Sequence, residues 1–464
     1  MGRHLAEQVA TENTQRFNEL VSTGLLGNLA IGSSLASMCF IFAPFLTQPF
    51  KVPEVLEAQA VFLIRWYGSI SILFSFILPI YTATITSNNR FDLQNYITTS
   101  LGVLRGVLIF AILGLTGTGL YGWAGVMLVS RAILILVTRH FARGVWPELK
   151  VSFKYVRRDA FGVLLSLGGI LFLLQLTSLL SQHADPIILT TILGPAAVAL
   201  YKPGLILVVA AQPLVKALVD QLHPLATGYH TTGHSRELQS ILIRGTRYTL
   251  LMAIPVCVVL GVFAHPITKI WLFSSLGNDY RITAWVLSGW ALIAFFNYAS
   301  GAQWPVLLGM RRLKFVVWTQ LPLAVVNIIV SIFLVRYTSL GVVGVVVATV
   351  IIGMIRRPVL VVYTALVVGL RPREYFMQSY FRPLLVLLIH TAIAMVIRFG
   401  IHIDRLMVLA MCVVFVGICW LGLCWWVGFD KNDRQSIRAL LARIFNTLVR
   451  HNPAADSSGN KDIS

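Results

Sequence analysis

Long apolar runs separated by short polar breaks fill most of the chain, beginning with the run that follows "TQRFNEL". Windows of about 19 residues delimit about twelve stretches long enough to cross a ~30 Å hydrocarbon layer as helices. They run from Leu20 to Leu46, Gln59 to Thr84, Tyr96 to Thr116, Leu120 to Val137, Phe161 to Leu193, Ala196 to Leu218, Tyr248 to Ile267, Ile282 to Leu308, Phe315 to Val335, Leu340 to Arg356, Leu384 to Gly400 and Leu406 to Val427. Alternating strands of roughly ten residues, which a membrane barrel needs, are absent. The pattern predicts an all-α polytopic membrane protein.

The pattern also repeats. A shift of about 220 residues lays "NTQRFNELVSTGLL" on "HSRELQSILIRGTR", "FAPFLT" on "FAHPIT", "YGWAG" on "LGVVG", and the polar loop at Arg90 on that at Arg311. An even number of spans separates equivalent points, so the two bundles form a parallel repeat about an axis along the membrane normal. In that register two spans precede the second set of four and none precedes the first. The expectation is a chain lacking the first two of roughly fourteen helices, with an asymmetric first half as the alternative.

Composition agrees with a membrane location: 57% of the 464 residues are hydrophobic and 12% charged, and mean hydropathy is +0.79. With the amino terminus in the cytoplasm, the inside loops hold roughly 24 basic residues and the outside loops about six, so both termini are expected to be cytoplasmic. The net charge of +19 is then a topology signal and an attraction to anionic phospholipids; nucleic acid need not be invoked. The amino terminus has neither the apolar core of a cleavable leader nor a myristoylation pattern. All five cysteines lie in apolar spans without ligand spacing, which indicates buried free thiols. No metal or cofactor motif is present. In "DRQSIRALLARIFNTLVR", residues Ile437, Leu440, Leu441, Ile444, Phe445 and Leu448 fall on one stripe opposite arginines, as in a helix lying on an anionic leaflet.

These features divide the chain into a cytoplasmic amphipathic segment (1–19), a bundle of four spans (20–138), a basic cytoplasmic loop (139–160), a bundle of six spans (161–369), two additional spans (370–428), and an amphipathic helix with a polar tail (429–464).

The succession "RHLAEQ…NELVSTGLL", "NRFDLQNY" after a span, and a basic loop leading to "LLSLGGILFLLQ…ADPIILTTILGPAAVALY" resembles the polysaccharide-export branch of the multidrug/oligosaccharidyl-lipid/polysaccharide exporter superfamily. These are the lipid-linked oligosaccharide (O-antigen type) flippases of bacterial inner membranes. The resemblance runs from Arg3 to about Gly369. It implies a MATE-like fold of two six-helix bundles around a central cavity. It also implies a polyprenyl-pyrophosphate-linked oligosaccharide as substrate, and other polysaccharide-assembly membrane proteins as partners in O-antigen, capsule or exopolysaccharide synthesis.

Candidate chemistry lies in charges that the spans should exclude. Arg105 sits near the middle of "TTSLGVLRGVLIFAILGL" and Arg131 about ten residues into its own span; Arg65 and Lys202 lie a turn or two inside the outer boundary. An arginine at mid-bilayer costs about 2.5–3.5 kcal/mol on the insertion scale, so it should face protein or water. Few acids neutralise these four, and a cationic interior suits a pyrophosphate, which arginine grips bidentately and lysine as a point charge. Against that reading, Arg65 and Lys202 could snorkel to the interface, while Arg105 and Arg131 could bond backbone carbonyls or lock neighbouring helices. Lys216, Arg356 and Arg357, near the inner boundary, are expected to snorkel. Asp185, beside His183, is either an ion-coupling site, a partner for Lys202, or a polar cap. Within the spans, Pro79, Pro203, Pro213, Pro255, Pro305 and Pro322 offer hinges.

Other functions remain open. A multidrug or cation exporter of the same fold would be expected to line its cavity with carboxylates. A glycosyltransferase or polymerase would need a sizeable outer loop. An acyltransferase would need a catalytic histidine, for which His390 is a lone candidate better read as a helix-packing hydrogen bonder. A non-transporting scaffold is the last alternative.

Overall fold

The computed structural model describes residues 5, 8–9, 11, 13–50, 52–88, 90–157, 159, 183–310, 312, 314–431, 433–435 and 438. Among these, eleven helices are long and apolar enough to cross a membrane. Each coincides with one of the expected spans, and the chain is an all-helical, multi-pass membrane protein. The remaining expected span, Phe161 to Leu193, is described only over the short apolar helix His183–Leu193. The stripe from Ile437 to Leu448 lies outside the described residues.

The chain divides into two compact units, Met1–Leu176 and Thr177–Ser464. The first unit holds α1 (Thr14–Thr47), α2 (Glu54–Ser87), α3 (Phe91–Thr116) and α4 (Gly119–Val145). The start of α1 lies ahead of the apolar run because Asn13 caps it, its side chain accepting from the Arg16 N–H at 3.0 Å. Within α2, residues Leu63–Gly68 form a π-helical turn, a feature that frequently marks functional segments of helices. Leucines and aromatics at one end of the unit form its core, with Phe17 stacked on Trp146 at 4.8 Å.

The second unit comprises α5 (His183–Leu193), α6 (Pro195–Thr231), α7 (Ser235–Val262), α8 (Ala264–Leu276), α9 (Tyr280–Ala299), α10 (Gln303–Gly309), α11 (Lys314–Tyr337), α12 (Val343–Val367), α13 (Pro372–Ser379), α14 (Phe381–Gly400) and α15 (Leu406–Leu423). Small residues bring these helices together. A Cβ on Gly289 would overlap the Val346 side chain, and one on Gly204 would lie 3.0 Å from the backbone of Leu287 and Thr283. The α9–α12 and α6–α9 contacts therefore depend on missing side chains, as membrane helix packing commonly does.

The internal repeat is visible in the packing. In the first unit α1 pairs with α2, α2 with α4, and α3 with α4; in the second, α7 pairs with α9, α9 with α12, and α11 with α12. It reaches individual hydrogen bonds. Asn18, near the start of α1, uses its amide on the chain just past α4, donating to the Glu148 carbonyl and accepting from the Lys150 N–H, both at 3.0 Å. Its counterpart Gln239, near the start of α7, donates to the Val368 and Gly369 carbonyls just past α12, at 3.1 and 3.4 Å. Backbone beyond a helix end needs such partners when water is scarce.

One span differs from its expected extent. Arg356, Arg357 and Pro358 interrupt the hydropathy and suggest a boundary, yet α12 continues to Val367. The two arginines consequently stand near the middle of the helix, half-buried, and not at its end.

Arg247 on α7 anchors the chain that follows α15. Its Nη1 donates to Asp430 and Asp433 at 2.7 Å each, and its Nε and Nη2 donate to the Gln378 carbonyl. With Arg247 8% and Asp433 2% exposed at the side chain, loss of the cation would strand a buried carboxylate. Burial pushes the Asp430 carboxyl up, but the bonds from Arg247 and the Asp433 N–H outweigh it and hold the group at about 2. This lies below the ordinary carboxylate value, so its stabilising contribution is complete above about pH 4 and is lost as pH falls toward about 2. We expect Arg247→Ala to cost about 3–5 kcal/mol and to remove that acid-sensitive component. Tryptophan-fluorescence melts of the detergent-solubilised protein across that pH range check both.

Candidate functional site

The cations placed within spans fall into two groups, those with acceptors and those without. Arg131, on α4, belongs to the first. Its Nη1 donates to the Ser75 hydroxyl at 2.7 Å and the Ser71 carbonyl at 3.3 Å, both on α2. The helix-locking alternative is thus realised geometrically, although only one nitrogen of the guanidinium is engaged.

Arg65 occupies the π-helical turn of α2, where the extra residue per turn re-aims its side chain. Its guanidinium lies 5.4 Å from the Phe40 ring centroid, a cation–π distance. Its buried Nε finds no acceptor among the described residues. Ser71 and Ser75 follow Arg65 by six and ten residues on the same helix, so Arg131 grips α2 about 9 to 15 Å along the axis from Arg65. Arg105, on α3, is half-buried and takes part in no hydrogen bond or ion pair among the described residues. All ion pairs of the described residues involve other groups.

In the second unit, Lys202 on α6 is exposed and makes no ion pair among the described residues. Asp185 does not meet it. The carboxylate is 2% exposed and accepts a hydrogen bond from the Tyr201 hydroxyl at 3.0 Å, one residue before Lys202. The expected Lys202 partnership and the polar-cap alternative therefore give way to a buried Asp–Tyr pair joining α5 to α6. A tyrosine in an apolar run carries no sequence signal for such a bond.

Lys216 is exposed on α6, as snorkelling requires. Arg357 departs from that expectation: it donates through Nη1 to the Ser300 hydroxyl at 2.7 Å and through Nη2 to the Asn297 side-chain oxygen, both at the α9 end of the contact. This repeats the Arg131 arrangement, with an arginine near the middle of the fourth helix bonded to polar groups of the second. His390 is fully buried, and its two ring nitrogens have no partner among the described residues.

Within its predicted spans the first unit thus holds two arginines, Arg65 and Arg105, with no acidic partner among the described residues, and a third, Arg131, that is partly engaged. An arginine left without an acceptor in a low-dielectric layer is costly. Arg131→Gln should lower stability by about 1.5–3 kcal/mol, with Ser75→Ala non-additive to it, while Arg105→Gln leaves the melting temperature unchanged. A double-mutant cycle on thermal melts measures the coupling.

Comparison with known proteins places these helices among related chains. The profile of the family described as "Polysaccharide biosynthesis protein" matches residues 8–278, more than half of the chain. None of the curated proteins compared matches. Among solved structures, the inward closed conformation of the lipid II flippase MurJ is similar, with a TM-score of 0.67 at 16% identity over 91% of this chain and 88% of that one. An inward-facing multidrug resistance MATE family transporter of the MOP superfamily gives a TM-score of 0.69 at 14% identity, covering 79% and 84%. At these identities the likeness is one of fold.

Proposed function

The chain belongs to the polysaccharide biosynthesis protein family, and from that premise we propose that it is a transporter, not an enzyme. It flips a polyprenyl-pyrophosphate-linked oligosaccharide across the bacterial inner membrane by alternating access, for O-antigen, capsule or exopolysaccharide assembly. The observation that carries this reading is the presence of Arg65 and Arg105 in apolar helices without acidic partners among the described residues.

Each residue has a role in the proposal. Arg65 and Arg105 hold the pyrophosphate, with Arg131 contributing its unengaged nitrogens; Lys202, on the second unit, is a separate candidate cation for the same class of ligand. The polyprenyl tail stays in lipid, where each buried methylene contributes about 0.8 kcal/mol. Asp185 is the candidate for ion coupling, because a buried carboxyl that gains or loses a charge alters the stability of the conformation holding it. The basic loops face the cytoplasm and bind anionic phospholipids, both termini lie on that side, and other polysaccharide-assembly membrane proteins deliver and receive the glycan.

Complementation tests the reading. In a bacterium lacking its own oligosaccharide flippase, the chain restores surface glycan, while Arg105→Ala reduces it by at least about tenfold at equal membrane abundance, the loss of one charged hydrogen bond to phosphate. A chain that exports cationic dyes yet restores no glycan, or an Arg105→Ala variant as active as wild type, would contradict it.

A further inference from the structure

A second cationic feature lies wholly within the second unit. Arg356 and Arg357 follow one another near the middle of α12, and no ion pair of the described residues includes either. Arg357 spends two nitrogens on neutral acceptors, Ser300 and Asn297. Arg356 has no hydrogen bond among the described residues, and the buried Nε of each arginine is unpaired among them. Two like charges on adjacent residues, with only neutral acceptors nearby, leave the interior short of negative charge.

Arg356 opens onto a cavity of about 50 Å³ lined by α9, α11 and α12. Its polar wall consists of Asn297, Asn327, Thr349 and Arg356, and its apolar wall includes Ile293 and Phe296. Asn327 donates to the Thr349 hydroxyl at 3.2 Å, and that hydroxyl donates to the Val345 carbonyl at 3.0 Å. Since the Asn297 oxygen accepts from Arg357, its amide nitrogen is left as a donor at the wall. The lining therefore offers a guanidinium and amide N–H groups, with no carboxylate among the described residues.

We infer that this cavity binds one small monovalent anion of chloride size. Charge requires an anion, because an arginine pair in a low-dielectric layer is stabilised by a counter-ion held within contact. Size favours a small one: the space amounts to about 50 Å³, room for a few water molecules, and only one of the two guanidinium groups opens onto it. The ion offsets one of the pair's two charges and ties three helices of the unit together. The inference does not depend on the transport reading, which concerns other cations.

The test compares thermal melts of the purified full-length protein in chloride, bromide, gluconate and sulfate salts of equal ionic strength. Chloride and bromide should raise the melting temperature by about 2 °C or more over gluconate and sulfate. The rise should disappear in Arg356→Gln and persist in Arg105→Gln. Equal melting in chloride and gluconate, a sulfate effect as large as that of chloride, or a chloride effect retained by Arg356→Gln would overturn the inference. Should Arg356→Gln not fold, equilibrium dialysis of the wild-type protein with radiolabelled chloride decides: one bound ion per chain, displaced by bromide, supports the site, and no bound ion overturns it.

Discussion

A guanidinium cannot lose its charge in a membrane, so it must be given acceptors, water or an anion. That constraint orders much of this structure. Where an arginine finds acceptors on the next helix, it fastens two spans together, as Arg131 does to Ser71 and Ser75 and Arg357 does to Asn297 and Ser300. Where it finds none among the described residues, as with Arg65, Arg105 and Arg356, the helix carries an uncompensated charge, which is where the proposed ligands are placed. Helix fastening and the proposed anion binding thus answer one requirement, separated by whether a neighbouring helix supplies oxygen atoms.

The same requirement extends to backbone groups past the helix ends. Asn18 and Gln239 occupy corresponding places in the repeat and meet the chain beyond the fourth helix of each set. Arg247 does so beyond α15, joining α7 to the Gln378 carbonyl and to Asp430 and Asp433. The buried bonds from Gln303 to the Tyr375 and Tyr380 hydroxyls, at 2.7 and 2.9 Å, tie α10 to the segment around α13. Apolar packing alone gives membrane helices little preference among partners, and these polar contacts supply specific pairings.

Hydropathy made the spans legible because each is a long apolar run, and it made the repeat legible because equivalent polar breaks recur at a constant offset. The same method ended α12 too early, since Arg356, Arg357 and Pro358 read as a boundary when the helix in fact encloses them. Partners were less legible than positions. The acceptors of Arg131 are a serine and a carbonyl inside an apolar run, the donor to Asp185 is Tyr201 and not Lys202, and the π-helical turn at Arg65 leaves no mark in composition. Such features depend on how helices face one another, which a one-dimensional pattern does not contain.

The central claim is that Arg65 and Arg105 of the first unit hold an anionic lipid headgroup. Native mass spectrometry of the purified protein, offered a polyprenyl diphosphate and the uncharged polyprenol of equal chain length, tests it most directly. The account predicts retention of the diphosphate over the alcohol, with the preference lost in the Arg65→Gln/Arg105→Gln double variant. Equal retention of the two lipids by the wild-type protein, or an undiminished preference in the double variant, would contradict it.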